Sequence, residues 1–156
     1  MPSANGMGQV RSIAYLYGAF ATGGAGLDLK HETLYELSAH AVEPTSGSHD
    51  AVLLTDTSYS FGFRKPCPSF VFASSDRSFG IGGLGGSFAF ADPDAQVGYA
   101  YALIRPGFRI FDDSRSLALH GALYRCLESS NRSRWSARAG AFLRARPCTA
   151  TRPARR

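Results

Sequence analysis

Apolar residues recur at three- and four-residue steps near the start of the chain. Met7, Val10, Ala14, Tyr17 and Ala21 form one stripe, widened by Ile13 and Phe20, and this spacing predicts a helix over 7–22. Gly23-Gly24-Ala25-Gly26 ends it, because glycine takes the left-handed conformation of a helix C-terminus at little cost. A shorter helix is predicted over 31–40, with Leu34, Leu37 and Ala41 on one side, followed by a loop of turn-forming composition over 43–50. Val52-Leu53-Leu54 and Tyr59-Ser60-Phe61-Gly62-Phe63 read as short strands, the second closed by Pro66-Cys67-Pro68.

From Phe79 the period changes to two. Strand-like sequence runs on either side of a glycine knot, Gly80-Ile81-Gly82-Gly83-Leu84-Gly85-Gly86. Beyond it Phe88 and Phe90 alternate with Ala89 and Ala91, Asp92-Pro93-Asp94 makes a turn, and Val97, Tyr99, Tyr101 and Leu103 alternate with Gly98, Ala100 and Ala102. That is a β-hairpin with a bulky face and a small-residue face, the latter open to close approach by another layer. Asp112-Asp113-Ser114 supplies N-cap chemistry and a favourable charge for a closing helix. Leu117, Leu119, Ala122, Leu123, Cys126 and Leu127 form its apolar side, with Arg125 near its C-terminal end. The order is helix, helix, short strands, glycine knot, hairpin, helix: an α+β fold in which helices pack on an antiparallel sheet.

The chain has 156 residues, of which 44% are hydrophobic and 19% charged, enough for one domain with a real core. The net charge of +5 divides unevenly: from Ser129 onward there are eight arginines and no acid, so residues 1–128 hold 9 bases against 12 acids, or −3. The expected organisation is therefore a folded body over 1–128 and a basic, solvated tail over 129–156. The tail's arginines lack regular aromatic interleaving, so no specific nucleic-acid partner is expected. No apolar run approaches the roughly 18–20 residues of a membrane helix, and Met1 to Gly6 has neither the basic start nor the apolar core of a signal peptide. Cys67, Cys126 and Cys148 form no C-x-x-C pair, and Cys126 reads as a small core residue. His31, His40, His49 and His120 show no metal-ligand spacing and read as surface or boundary residues, so neither metal nor cofactor is expected.

Gly80-Ile81-Gly82-Gly83-Leu84-Gly85 also fits the letter of the G-x-G-x-x-G dinucleotide motif. That motif needs a helix after it, and a hairpin follows here. Taken alone, five glycines in the seven residues 80–86 favour a strand bend or close backbone approach.

Order and spacing carry more information than any one motif. Phe79 to Ser87, then Phe90-Ala91-Asp92-Pro93-Asp94-Ala95, then Gly98-Tyr99-Ala100-Tyr101 and an acid-capped helix resemble the C-terminal part of β-lactamase-related domains, the class C β-lactamases and penicillin-binding-protein-like serine esterases. Pro2 to Gly6, the helix ending Leu16 to Gly24, and Phe61-Gly62-Phe63 resemble the segments preceding it in that family. The likeness runs over about residues 2–128. It implies an incomplete β-lactamase/transpeptidase-like fold, and, in complete members, ester or amide hydrolysis of a small molecule through an acyl-serine.

The resemblance also assigns positions. Ile81, Gly82 and Gly83 stand at the family's third motif, with Ile81 where His or Lys is expected, and the Leu84 N–H stands where the family places an oxyanion-hole donor. No catalytic side chain is found. Three residues before Lys30 and Lys65 stand Leu27 and Gly62, so there is no Ser-x-x-Lys, and no Tyr-x-Asn either. Ser87 is followed by no lysine at the required spacing and sits in no G-x-S-x-G. Two expectations follow: a serine hydrolase family member that is inactive as this chain, or a degenerate, non-catalytic binding or structural protein of the same fold.

Overall fold

The computed structural model describes residues 7–24, 26–109 and 113–130; of the basic tail expected over 129–156, Ser129 and Ser130 end a helix and residues 131–156 lie outside the described residues. The elements are α1 (Val10–Ala21), α2 (His31–Ser38), β1 (His49–Asp50), β2 (Thr55–Asp56), β3 (Phe79–Gly82), β4 (Phe88–Asp92), β5 (Val97–Tyr101) and α3 (Ser114–Ser130). The strands β3-β4-β5 form an antiparallel sheet in that order, and β1-β2 a separate two-stranded pair. The α+β class and the hairpin are as expected. Contacts divide the chain into two compact units, the second beginning at Gly121 within α3, and its described residues, 121–130, are helical.

The hairpin register sorts the core. Phe88 faces Tyr101, Phe90 faces Tyr99 and Asp92 faces Val97, while Ala89 faces Ala100 and Ala91 faces Gly98. Bulky side chains therefore share one face and small ones the other, as the alternation requires. The turn between the strands is held by Asp92, whose buried carboxylate accepts from the Ala95 N–H at 3.0 Å and the Ser74 N–H at 2.8 Å. Arg77 adds an exposed ion pair to Asp94 at 2.8 Å.

On the small face lies α1, which touches both β4 and β5. Its backbone reaches the sheet at Gly98, where a Cβ would overlap Gly18 and the Ala14 carbonyl oxygen. Tyr17 and Phe20 of α1 pack there with Phe63 and Phe79, ring centroids 5.3–6.4 Å apart, in edge and tilted arrangements that add to simple burial. Gly23 in the left-handed region, with the Gly24 N–H donating to the Ala19 carbonyl at 2.7 Å, closes the helix. On the opposite, bulky face a second cluster joins Phe70, Phe72, Phe88, Phe90 and Tyr99.

Several local expectations are corrected. The α1 stripe is buried only in its C-terminal half: Met7, Val10 and Ile13 are exposed, because the sheet meets the helix at Tyr17, Ala19 and Ala21. Val52-Leu53-Leu54 is a turn rather than a strand, flanked by β1 and β2. One oxygen of the Asp50 carboxylate accepts from the Val52 and Leu53 N–H groups at 2.9 Å each, a local alternative to strand pairing. That pairing also draws His49 and Asp50 out of the expected loop into β1. Tyr59 to Phe63 is a tight bend, closed by the Ser60 N–H to the Phe63 carbonyl at 2.8 Å. Cys126 is exposed, as are Leu117 and Leu119, so the periodic apolar residues of α3 are not all core.

Lys65 is fully buried and its Nζ donates to the Ser38 carbonyl, the C-terminal end of α2, at 2.5 Å. The helix dipole favours a cation there, while burial pushes its pKa down to about 8.

Gly98→Ala is expected to force α1 off the sheet and cost about 1–3 kcal/mol or more, the range for overpacking, because the obstacle is backbone. Gly83→Ala, where a Cβ meets open space, is the control. Urea midpoints of the two variants against the parent protein check the difference; equal midpoints would contradict the packing described.

Candidate functional site

The third-motif positions lie at the free end of β3. Gly80 exchanges both backbone hydrogen bonds with Arg64, at 2.8 and 3.0 Å, on the side away from β4. Strand alternation then turns the Ile81 amide and carbonyl toward β4 and those of Gly82 away from it. The Gly83 N–H donates to the Ser87 carbonyl at 2.9 Å, closing the turn into β4. The next amide, that of Leu84, has no acceptor among the described residues, and Leu84 is 78% exposed. An available backbone N–H at the end of an edge strand is what an oxyanion donor requires. Ile81 shares a face with Phe79 and Ala89 and is 46% exposed, so an aliphatic surface stands where the resemblance expects a base.

The turn is held from behind. Gly86 has φ of 98°, and a Cβ there would fall 2.8 Å from an Asp113 carboxylate oxygen. Asp113 caps α3, accepting from the Arg115 N–H at 3.0 Å, and it also holds the Arg115 guanidinium at 2.7 and 2.9 Å. Those guanidinium hydrogen bonds keep its carboxyl down at about 2. The N-cap role of this acidic segment was legible in the sequence; the support it gives to the glycine turn was not, because the two are far apart in the chain. Ser87 accepts from the Leu103 N–H at 3.4 Å, a tie between strand ends.

Beside the turn is a cavity of about 20 Å³, room for one water, lined in part by Gly86, Ser87, Phe88, Ser116 and His120. His120 corrects the expectation of a surface histidine. It is buried against Phe88, Phe90 and Tyr99, with ring centroids 4.8–5.5 Å away, because α3 turns it onto the bulky face of the hairpin. Its Nε2 lies 3.3 Å from the Ser116 hydroxyl, while its Nδ1 has no partner among the described residues. Burial pushes its pKa down to about 4. The serine–histidine contact is enclosed, and the cavity is too small to admit an ester.

A larger groove, of about 750 Å³, runs between the β1-β2 pair, with His49 and Asp56, and the segments carrying His40, Ser58 and Cys67. His40 Nδ1 lies 2.8 Å from the Ser58 hydroxyl and His49 Nδ1 3.3 Å from Asp56. Sequence spacing gave no sign of it, since the loops meet only in three dimensions. Among the described residues no group of three His, Cys, Asp or Glu side chains is placed to hold a metal ion, and no helix is long and apolar enough to cross a membrane.

No protein-family profile and no curated protein matches the chain. Solved structures do. A family VIII carboxylesterase matches with TM-score 0.64 at 32% identity, over 73% of this chain and 30% of its own. A penicillin-binding-protein homolog from Caulobacter crescentus matches with TM-score 0.62 at 33% identity, over 73% and 30%. EstA from Arthrobacter nitroguajacolicus Rue61a shares the fold, with TM-score 0.65 at 24% identity, over 79% and 33%. The chain thus spans about a third of the length of these structures. These structures share the β-lactamase-like fold, and the chain is a partial domain of that fold, similar to β-lactamase-like esterases and penicillin-binding-protein homologs.

A histidine whose folded pKa is depressed supports the fold while neutral and opposes it when the unfolded chain takes up its proton. Stability is therefore expected to fall as pH drops from about 6.5 to about 4. His120→Phe should flatten that part of the urea-midpoint profile, since the other histidines remain in both proteins. A variant profile as steep as the parent's would mean that His120 is not buried neutral.

Proposed function

We propose that this chain carries the third-motif edge of a β-lactamase-like serine hydrolase site and forms no acyl-enzyme by itself. The observation that carries the reading is the absence of Ser-x-x-Lys between Met1 and Arg156, joined to an aliphatic Ile81 at the position of the family's base. Lys65, the lysine nearest the site in sequence, is spent on the C-terminus of α2. What remains for chemistry is backbone: the outward edge at Gly82 and the unpartnered Leu84 N–H, suited to polarising a carbonyl oxygen. Such a donor stabilises an intermediate that some other group must create. In a site completed by further sequence, the substrate would be a small ester or amide.

A second reading, a non-catalytic binding or structural relative, is favoured by Ile81. An aliphatic residue neither relays a proton nor attracts an anionic group, so it would impair the site even with a nucleophile present.

The purified chain is expected to hydrolyse a nitrophenyl ester no faster than background and to remain unlabelled by a fluorophosphonate probe. Ile81→His should behave identically, because a base without a nucleophile restores nothing. Stoichiometric labelling of any serine, Ser87 and Ser116 included, would overturn the proposal. The two readings separate when a Ser-x-x-Lys-bearing segment from a related carboxylesterase is fused before Met1. Turnover that rises at least tenfold with Ile81→His favours a hydrolase weakened at one position, and no turnover in either form favours the binding protein.

A further inference from the structure

We propose that the paired loops at 83–86 and 104–109 form an interfacial contact site for an anionic lipid surface. The two loops are joined by backbone: the Gly85 N–H donates to the Arg109 carbonyl at 3.2 Å and the Gly107 N–H to the Gly85 carbonyl at 2.9 Å. Arg115, clamped to Asp113, donates from Nη1 to the Arg105 carbonyl at 3.1 Å and anchors the second loop to the body. On this braced support stand three large apolar side chains with almost no cover: Leu84, Ile104 and Phe108, the last two fully exposed.

Their setting distinguishes a membrane from a protein partner. The three side chains project from turns rather than line a groove, so they offer a partner no concave surface to fill. Arg105 and Arg109 flank Phe108, are both exposed, and join no ion pair among the described residues. Asp113, beside Gly86 and Gly107, is already held by Arg115. Apolar tips with exposed arginines beside them match the boundary of a bilayer, where aliphatic and aromatic groups enter the acyl region and guanidinium groups stay with anionic headgroups. The contact lies in the interface and needs no spanning helix. It shares the 83–86 turn with the proposed site but uses the Leu84 side chain rather than its N–H, so vesicle binding tests it without reference to hydrolysis.

The test uses the full chain, whose arginine-rich end beyond Ser129 is itself attracted to anionic vesicles. Phe108→Trp with Trp135→Phe puts the sole tryptophan in the loop. On mixed phosphatidylcholine–phosphatidylserine vesicles its emission is expected to shift to the blue and to be quenched by lipids brominated in the acyl chains. In vesicle sedimentation, the triple variant L84S/I104S/F108S should partition at least tenfold less, and Arg105→Gln and Arg109→Gln roughly fivefold less each. Pure phosphatidylcholine vesicles should bind weakly. An unshifted emission from vesicle-bound protein overturns the proposal, since the arginine-rich end alone is then responsible. Equal partition of the triple variant overturns it too. A blue shift without vesicles that grows with protein concentration assigns the patch to a second copy of the chain instead. Should the triple variant fold poorly, the tryptophan reporter decides alone.

Discussion

The contact of the α1 backbone with Gly98 is the constraint on which the rest of the first unit depends. Nothing larger than hydrogen fits between that strand and the Gly18 and Ala14 backbone. Close approach brings Tyr17 and Phe20 down to the level of Phe79, so that helix and sheet share one aromatic cluster. The same small face, Ala89, Ala91, Gly98 and Ala100, leaves Phe88, Phe90, Tyr99 and Tyr101 to the opposite side. There Phe70, Phe72 and His120 pack on Phe88, Phe90 and Tyr99. A single alternation thus builds two cores with the sheet between them, and a bulky residue on the small face would unseat both the helix and the register.

The end of β3 gains its geometry from this arrangement. Phe79 anchors the strand in the first cluster, the Arg64 bridge sets which backbone groups of the strand face outward, and Asp113 with Arg115 supports the glycine turn from behind. The result is a rigid backbone edge with an available amide at Leu84. Rigidity at that edge is useful to a serine hydrolase, because a preorganised donor needs no rearrangement when charge develops. The edge carries no acid or base of its own.

Buried polar groups reveal how the fold is completed. Lys65 ends α2, Asp92 ties the hairpin to the Ser74 loop, and Asp113 caps α3. Each satisfies backbone groups that would otherwise lack partners, which is where a buried charge is tolerated. His120 differs: it is buried among rings, its Nδ1 has no partner among the described residues, and burial favours its neutral form.

The amino-acid sequence by itself determined the α+β class, the hairpin with its two faces, the Asp92 turn and the likeness to part of a β-lactamase-like domain, through the order of motifs from Phe79 to Tyr101. These are local patterns, or strings of local patterns, and residue type suffices to specify them. It also placed Ile81, Gly82, Gly83 and Leu84 in family positions, though only by likeness. Tertiary structure decided the rest. Asp50 captured two amides and made a turn of Val52-Leu53-Leu54, because a side-chain hydrogen bond competes with strand pairing on nearly equal terms. The sheet met α1 at its C-terminal half and left Met7 and Val10 exposed, since periodicity gives a face without saying how far a neighbour extends along it. His120 became a core residue, and Asp113 came to brace Gly86, because both depend on contacts between segments distant in the chain. Burial is a property of the partner surface, and no residue carries its partner's position in its own identity.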